Sequence, residues 1–201
     1  MSTVRRRRSP EAAKAEAIAA SRDILLEAGP AAVTLKAVAA RLGMSHGNLL
    51  HHFGSAGELQ QALMTSMISD LMTALEAAVA AVREGSAEPG KPVEILFDAF
   101  DQGGAGKLAA WLALSDDTEQ LSPIGDQIRA LVSALEAPFR DYPGYDAKLV
   151  RLLVLNAAAQ AFAEALIGPS LRGMLGLTRE DAVLLAKDPI LSRHPWTKDI
   201  C

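Results

Sequence analysis

Three of the four histidines in this 201-residue chain, His46, His51 and His52, fall within the stretch RLGMSHGNLLHHFGS, residues 41–55. Imidazoles gathered in this way could hold a metal ion, move protons, or hydrogen-bond to an anionic polymer. A metal can be judged by geometry. On a helix turning about 100° per residue, His46 lies about 140° from His51 and about 120° from His52, while the adjacent pair diverges by about 100°. No two converge on one ion, and the only cysteine, Cys201, is the last residue. A metal centre is therefore not expected, nor a disulfide framework. A general base would need an orienting partner and a pocket. A short helix between glycine-containing turns offers neither, so no catalytic residue and no cofactor is expected.

The elements that must carry these residues have clear end signals. Thr34 caps a short helix whose apolar positions Leu35, Val38, Ala39 and Leu42 follow helical spacing, and Gly43 supplies the left-handed residue that ends it. Ser45 caps the next helix, from His46 to about His52, anchored inward by Leu49 and Phe53. Two short helices joined by a glycine-centred turn make a helix-turn-helix. Its core leaves His46, Asn48, Leu50 and His51 pointing outward, and Gly47 lets the backbone come close to a partner. Asparagine can pair with adenine, and imidazole can bond base edges or phosphates. This geometry puts the third helix in a DNA major groove.

Charge supports the same reading. Residues 1–57 hold eight arginines and lysines against four acids, an excess of +4, so the rest of the chain carries −8 of the net −4. A basic end on an acidic body suggests that the first quarter faces a polyanion. Arg5, Arg6, Arg7 and Arg8 form a basic, disordered arm over residues 1–8 that can reach phosphates or a minor groove.

Half of the residues are apolar, alanine and leucine dominate, and aromatics make up 4%. That composition predicts an all-α protein. Ser9-Pro10-Glu11 starts a first helix that runs to Ala28 and stops at Gly29-Pro30. Ser55 and Glu58 form a capping box for a fourth, from Ala56 to about Glu84, roughly 40 Å long. Its stripe runs through Leu59, Leu63, Met67, Leu71, Leu75, Val79 and Val82, and its length suits a connector. GSAEPGK, residues 85–91, is a linker. Helices follow from Pro92 to about Gln102, from Lys107 to Leu114 after a flexible GGAG, and from Ser122 until Pro138 kinks or ends it; DYPGYD is a turn. Residues 147–167 form a helix apolar almost all round, with Ala157, Ala161 and Ala165 four apart offering a thin face. One small domain seldom surrounds such a helix, which predicts a subunit interface, with an intrachain core as the alternative. Thr178 and Asp181 announce a last short helix to about Lys187, followed by a tail.

The runs AIAASRDILLEAG and VTLKAVAARLGMSHGNLLHHFGSAGELQQALM resemble the DNA-binding domain of the TetR family of bacterial transcriptional repressors over about 50 residues. The resemblance implies a homodimer of all-helical subunits. Each would have a three-helix DNA-binding domain (residues 9–54), then a connector helix with a ligand-binding and dimerisation domain (residues 55–201). It places Lys36 near DNA, Ser45, His46, Gly47 and Asn48 at the start of the recognition helix, and His52 at phosphate. Thr34 and His51 complete the DNA-facing set. Two positions depart from the family pattern: Leu50 stands where a phosphate-binding tyrosine is usual, and Ala56 where a lysine opens the fourth helix.

Further along, the resemblance implies that helices 122–140 and 147–167 build a four-helix dimer interface. Leu131, Leu135, Leu149, Leu153, Ala157, Ala161 and Ala165 would contribute to it. The ligand would lie among helices 92–114 and the connector, lined by Met64, Met67, Met72, Phe97, Phe100, Trp111 and Leu114. Few charges fall on inner positions, so an apolar effector is expected. The function implied is that of a regulator that occupies operator DNA until a small molecule releases it.

Two other readings compete. One is a ligand-independent regulator controlled by a partner protein through its acidic surface; the other is a helical enzyme. DQGGAGKLA, residues 101–109, is a poor phosphate loop, with Asp101 in place of the first glycine, Leu108 in place of the hydroxyl residue, and no strand before it. No secretory leader is visible, and no uninterrupted apolar run approaches the ~18 residues of a membrane helix, so a cytoplasmic protein is expected.

Overall fold

The computed structural model describes residues 9–114, 122–137, 140 and 145–191. The Arg5–Arg8 arm, the acidic segment 115–121, Pro138, most of the DYPGYD turn and the end of the chain from residue 192 lie outside the described residues. Those described form nine α-helices and one 3-10 turn, with no strand among them.

The first three helices end where their side chains dictate. In α1 (Pro10–Ala28) the Ser9 hydroxyl accepts from the Ala12 amide at 3.2 Å. A 3-10 turn, Pro30–Ala32, follows directly. In α2 (Leu35–Leu42) Thr34 accepts from Ala37 at 3.1 Å, and Gly43, at φ 62° and ψ 31°, is the left-handed stop. In α3 (His46–Phe53) Ser45 accepts from Asn48 at 3.2 Å.

The long helix α4 (Ala56–Arg83) starts with half a capping box. Ser55 accepts from the Glu58 amide at 3.1 Å, but the Ser55 amide bonds to the Phe53 carbonyl, and the Glu58 carboxylate lies over Gly54, where a β-carbon would collide with it. With 28 residues, α4 spans about 40 Å.

Then come α5 (Lys91–Phe100), α6 (Ala105–Leu114) and α7 (Ser122–Glu136). The GGAG stretch expected to be flexible instead supplies the first turn of α6, and Gly106 lets Ala165 approach so closely that a β-carbon would sit 2.6 Å from it. Helix α8 (Ala147–Leu175) outruns its expected end at Ile167 by eight residues and passes through Pro169. The buried Glu164 carboxylate folds over Gly168 and bonds Arg172 at 2.9 Å, bridging the turn where proline removes a ladder bond. Helix α9 (Arg179–Leu191) opens with a reciprocal box: Asp181 accepts from the Thr178 amide at 2.8 Å and Thr178 from the Asp181 amide at 3.2 Å. It too runs past its expected end, at Lys187.

One apolar core joins α1, α2 and α3 to the first half of α4 and to α6, through residues such as Ile24, Val38, Leu49, Leu63 and Leu108. A second packs α5, α8 and α9 around Phe97 and Ala161, and a third sets Leu71 and Leu75 of α4 against Leu131 of α7. By length and composition alone α4 and α8 could each cross a bilayer. Both instead lay one side into these cores.

Candidate nucleic-acid interface and apolar cavity

The residues expected to face DNA stand on a buried apolar base. Leu49 and Phe53 are buried beneath α3, which leaves Ser45, His46, Gly47, Asn48, Leu50 and His51 exposed on its outer side and His52 half-buried. Lys36 is exposed on α2, while Thr34 is half-buried, its hydroxyl engaged as the helix cap. The His51 and His52 rings sit 5.9 Å apart at 50°, and among the described residues no group of three His, Cys, Asp or Glu gathers to hold a metal. Arg41 is not free for phosphate; it forms a two-pronged ion pair with Glu27, with one hydrogen bond at 2.9 Å, that ties α2 to α1. The Glu27 carboxyl is held below its ordinary range chiefly by this hydrogen bond.

Behind the helix-turn-helix lies a cavity of about 600 Å³ walled by α4, α5, α6, α7 and α8. Its size falls within the range usual for small-molecule sites. Of the expected ligand contacts, Met64, Met67 and Phe100 line it, and Phe100 meets Phe162 edge-on at 6.4 Å. The other four lie elsewhere. Phe97 is buried in the core between α5, α8 and α9, Met72 packs on the α4–α7 cluster, Leu114 is 86% exposed, and Trp111 turns its indole N–H to Gln60. The cavity is lined instead by residues expected at the dimer interface: Leu131, Leu135, Leu149, Leu153 and Ala157. Ala161 and Ala165 are buried inside the chain against α5, α6 and α9. The alanine face is therefore spent on intrachain packing, because it continues the stripe that begins at the cavity wall. The outer side of α8 is a different surface. Leu152, Leu155, Leu166, Ile167 and Met174 are all exposed there, Leu155 at 64%.

The polar residues of the cavity wall are few: Arg22, Asp70, Tyr145 and Asp146. Arg22 of α1 pairs with Asp70 of α4 at 2.5 Å, an exposed bridge across the edge of the cavity. Among the buried polar residues absent from the expected site is Gln60 of α4. The signal was available, since its helical neighbours Leu63, Met64 and Met67 are all apolar.

Residues 17–63 match the family of bacterial regulatory proteins, tetR family. That stretch is a tetR-family DNA-binding segment. An HTH-type transcriptional repressor of Mycobacterium tuberculosis, Rv3405c, is 29% identical over 92% of both chains. A solved TetR-family transcriptional regulator from Pectobacterium atrosepticum is 18% identical, covering 80% of this chain and 86% of that one at a TM-score of 0.56. A structure concerned with control of antibiotic production by bacterial hormones is 25% identical, covers 77% of this chain and 86% of its own, and has a TM-score of 0.53. The described residues are accordingly all α-helical, and they carry a tetR-type helix-turn-helix of the kind found in DNA-binding transcriptional regulators, in a chain similar over most of its length to an HTH-type transcriptional repressor.

Proposed function

We propose that the protein acts in the cytoplasm as a homodimer that represses by holding operator DNA through α3 and lets go when an apolar small molecule fills the cavity. The observation that carries this reading is the cavity itself. Met64 and Met67 of α4 and Ala105 and Leu112 of α6 belong both to its wall and to the core beneath the helix-turn-helix. A ligand that fits one arrangement of these helices better than another shifts the population toward that arrangement. Recognition helices reading half-sites about 34 Å apart tolerate little change in spacing.

The dimer reading is supported by the outer side of α8, whose exposed leucines and Ile167 form an apolar stripe suited to a second copy. His46 and Asn48 are proposed at base edges, with Lys36, Ser45, His51 and His52 as backbone contacts and the Arg5–Arg8 arm adding charge. The test is fluorescence anisotropy on DNA from upstream of the protein's own gene. Binding with Kd about 10⁻⁸ M that weakens steeply with salt supports operator recognition. Release by the neutral apolar dye N-phenyl-1-naphthylamine, at concentrations where its fluorescence reports cavity binding, supports ligand gating. Binding of the dye with no release would favour control by a partner protein instead.

A further inference from the structure

Gln60 is 8% exposed, and its amide is used at both ends. Its Nε2 donates to the Val33 carbonyl at 3.0 Å and toward the Pro30 carbonyl at 3.4 Å, while its Oε1 accepts from Trp111 Nε1–H at 3.2 Å. Three elements meet at this one side chain: the turn between α1 and α2, the start of α4, and α6.

Each end reaches something that matters. Val33 directly precedes Thr34, whose hydroxyl and carbonyl receive the first amides of α2, from Ala37 and Val38. The Val33 side chain is fully buried, so its carbonyl cannot move without moving the entry to the helix-turn-helix. At the other end, α6 carries Ala105, Ala109 and Leu112 on the cavity wall and Trp111 one residue away, about 100° round the helix. The indole is 43% exposed, so burial does little to fix its orientation, and its hydrogen bond to Gln60 does more. A shift of α6 against the cavity contents therefore bears directly on the Trp111 N–H, and through Gln60 on the turn that starts α2. A buried amide needs its partners on both sides, so loosening one end weakens the other.

We infer that Gln60 is a positioning residue that carries the state of the cavity to the start of α2, with the Trp111 indole N–H as its contact on α6. The inference rests on the ligand-gated reading above.

The test uses the full chain and N-phenyl-1-naphthylamine as the cavity probe, with hydrogen exchange of the amides of residues 33–38 as the readout. Trp111→Phe keeps an aromatic ring and removes only the donor side of the bond. In the wild type, filling the cavity should raise exchange of these amides about threefold or more. In Trp111→Phe the probe should bind with unchanged affinity, exchange should already be raised, and the probe should add little. A Gln60→Met variant, and the double variant, should match the single Trp111→Phe in their lack of response rather than sum with it. Equal probe responses in wild type and Trp111→Phe, or none in either despite binding, would overturn the inference while leaving the cavity reading in place. Failure of the probe to bind at all would overturn the cavity reading and the inference with it. A merely structural role for Gln60 would change exchange without the probe and leave the response to it intact.

Discussion

The N-terminal helices and the C-terminal body use the same residue types to opposite ends. In α1 to α3 the buried apolar positions other than Ala13 share one destination, the core around Leu49 and Val38, so being buried and being in that core mean nearly the same thing. In α8 an apolar position has three. Leu149 and Leu153 face the cavity, Ala161 and Ala165 continue that stripe into packing with α5, α6 and α9, and Leu155 and Leu166 face outward. A helix apolar almost all round signals several burials without saying which side meets what. Local signals therefore specify the helix-turn-helix, whereas the body around the cavity is specified only by packing across distant helices.

Removing core volume from each region should separate the two most widely. Leu49→Ala should cost about 2–5 kcal/mol in chemical denaturation, because the side chain is fully buried and the short α3 has little else to hold it. Leu155→Ala on the outer side of α8 should leave the unfolding of dilute protein nearly unchanged. Equal costs would mean that both leucines serve one intrachain core.

Next in size is the reversal of roles on α8. Leu155→Glu with Leu166→Glu should convert the proposed dimer to a folded monomer by light scattering and lower operator affinity by about a hundredfold. Ala161→Leu should do the reverse, costing about 1–3 kcal/mol of folding stability through overpacking while the dimer persists. If Ala161→Leu dissociated the dimer and the glutamates did not, the alanine face would be the interface after all.

A smaller effect separates recognition from anchoring. Asn48→Ala should cost about 1–3 kcal/mol on the preferred operator and relax preference at one base pair, whereas Lys36→Ala should weaken all DNA alike and flatten the salt dependence by about one unit. Uniform loss in both variants would remove Asn48 from the base-reading set.

What was legible follows the same division. Ser9, Thr34, Gly43 and Ser45 lie within four residues of the groups they cap, so their helices could be bounded from the chain alone, nearly to the residue. Glu58 shows the limit even there: its carboxylate packs over Gly54 rather than completing the box, and the Ser55 amide bonds to the Phe53 carbonyl instead. The helix expected to end at Ile167 continues through Pro169 to Leu175, where the Glu164–Arg172 bridge, eight residues apart, spans the turn that proline weakens. Met64, Met67 and Phe100 were placed at the cavity, but Phe97, one turn from Phe100 on the same helix, turns into the core between α8 and α9. Periodicity cannot tell a cavity wall from a core, since both exclude water.

The least effect should come from the ion pairs that fasten α9 to α5. Glu94 is hydrogen-bonded to Lys187 and, at 2.9 Å, to Lys91, and Gly90 leaves room for the Lys187 stem where a β-carbon would sit 2.7 Å from it. These bonds hold the Glu94 carboxyl below its ordinary 4.5, the one to Lys187 first. A carboxyl depressed by folding stabilises the protein above its unfolded value and loses that contribution as pH falls through the lower folded one. The α5–α9 contact should therefore be unaffected from pH 7 to about 5 and loosen only in more acid solution. Glu94→Gln should abolish that acid-dependent part, seen as hydrogen exchange in α9. Because the groups are partly exposed, its cost at neutral pH should stay within about 1 kcal/mol. A smaller response is expected at the Glu27–Arg41 bridge, where the Glu27 carboxyl is also held low but α1 and α2 are already fixed by the core beneath them. A larger acid response in α2 than in α9 would mean that the DNA-binding helices, too, depend on their surface charges.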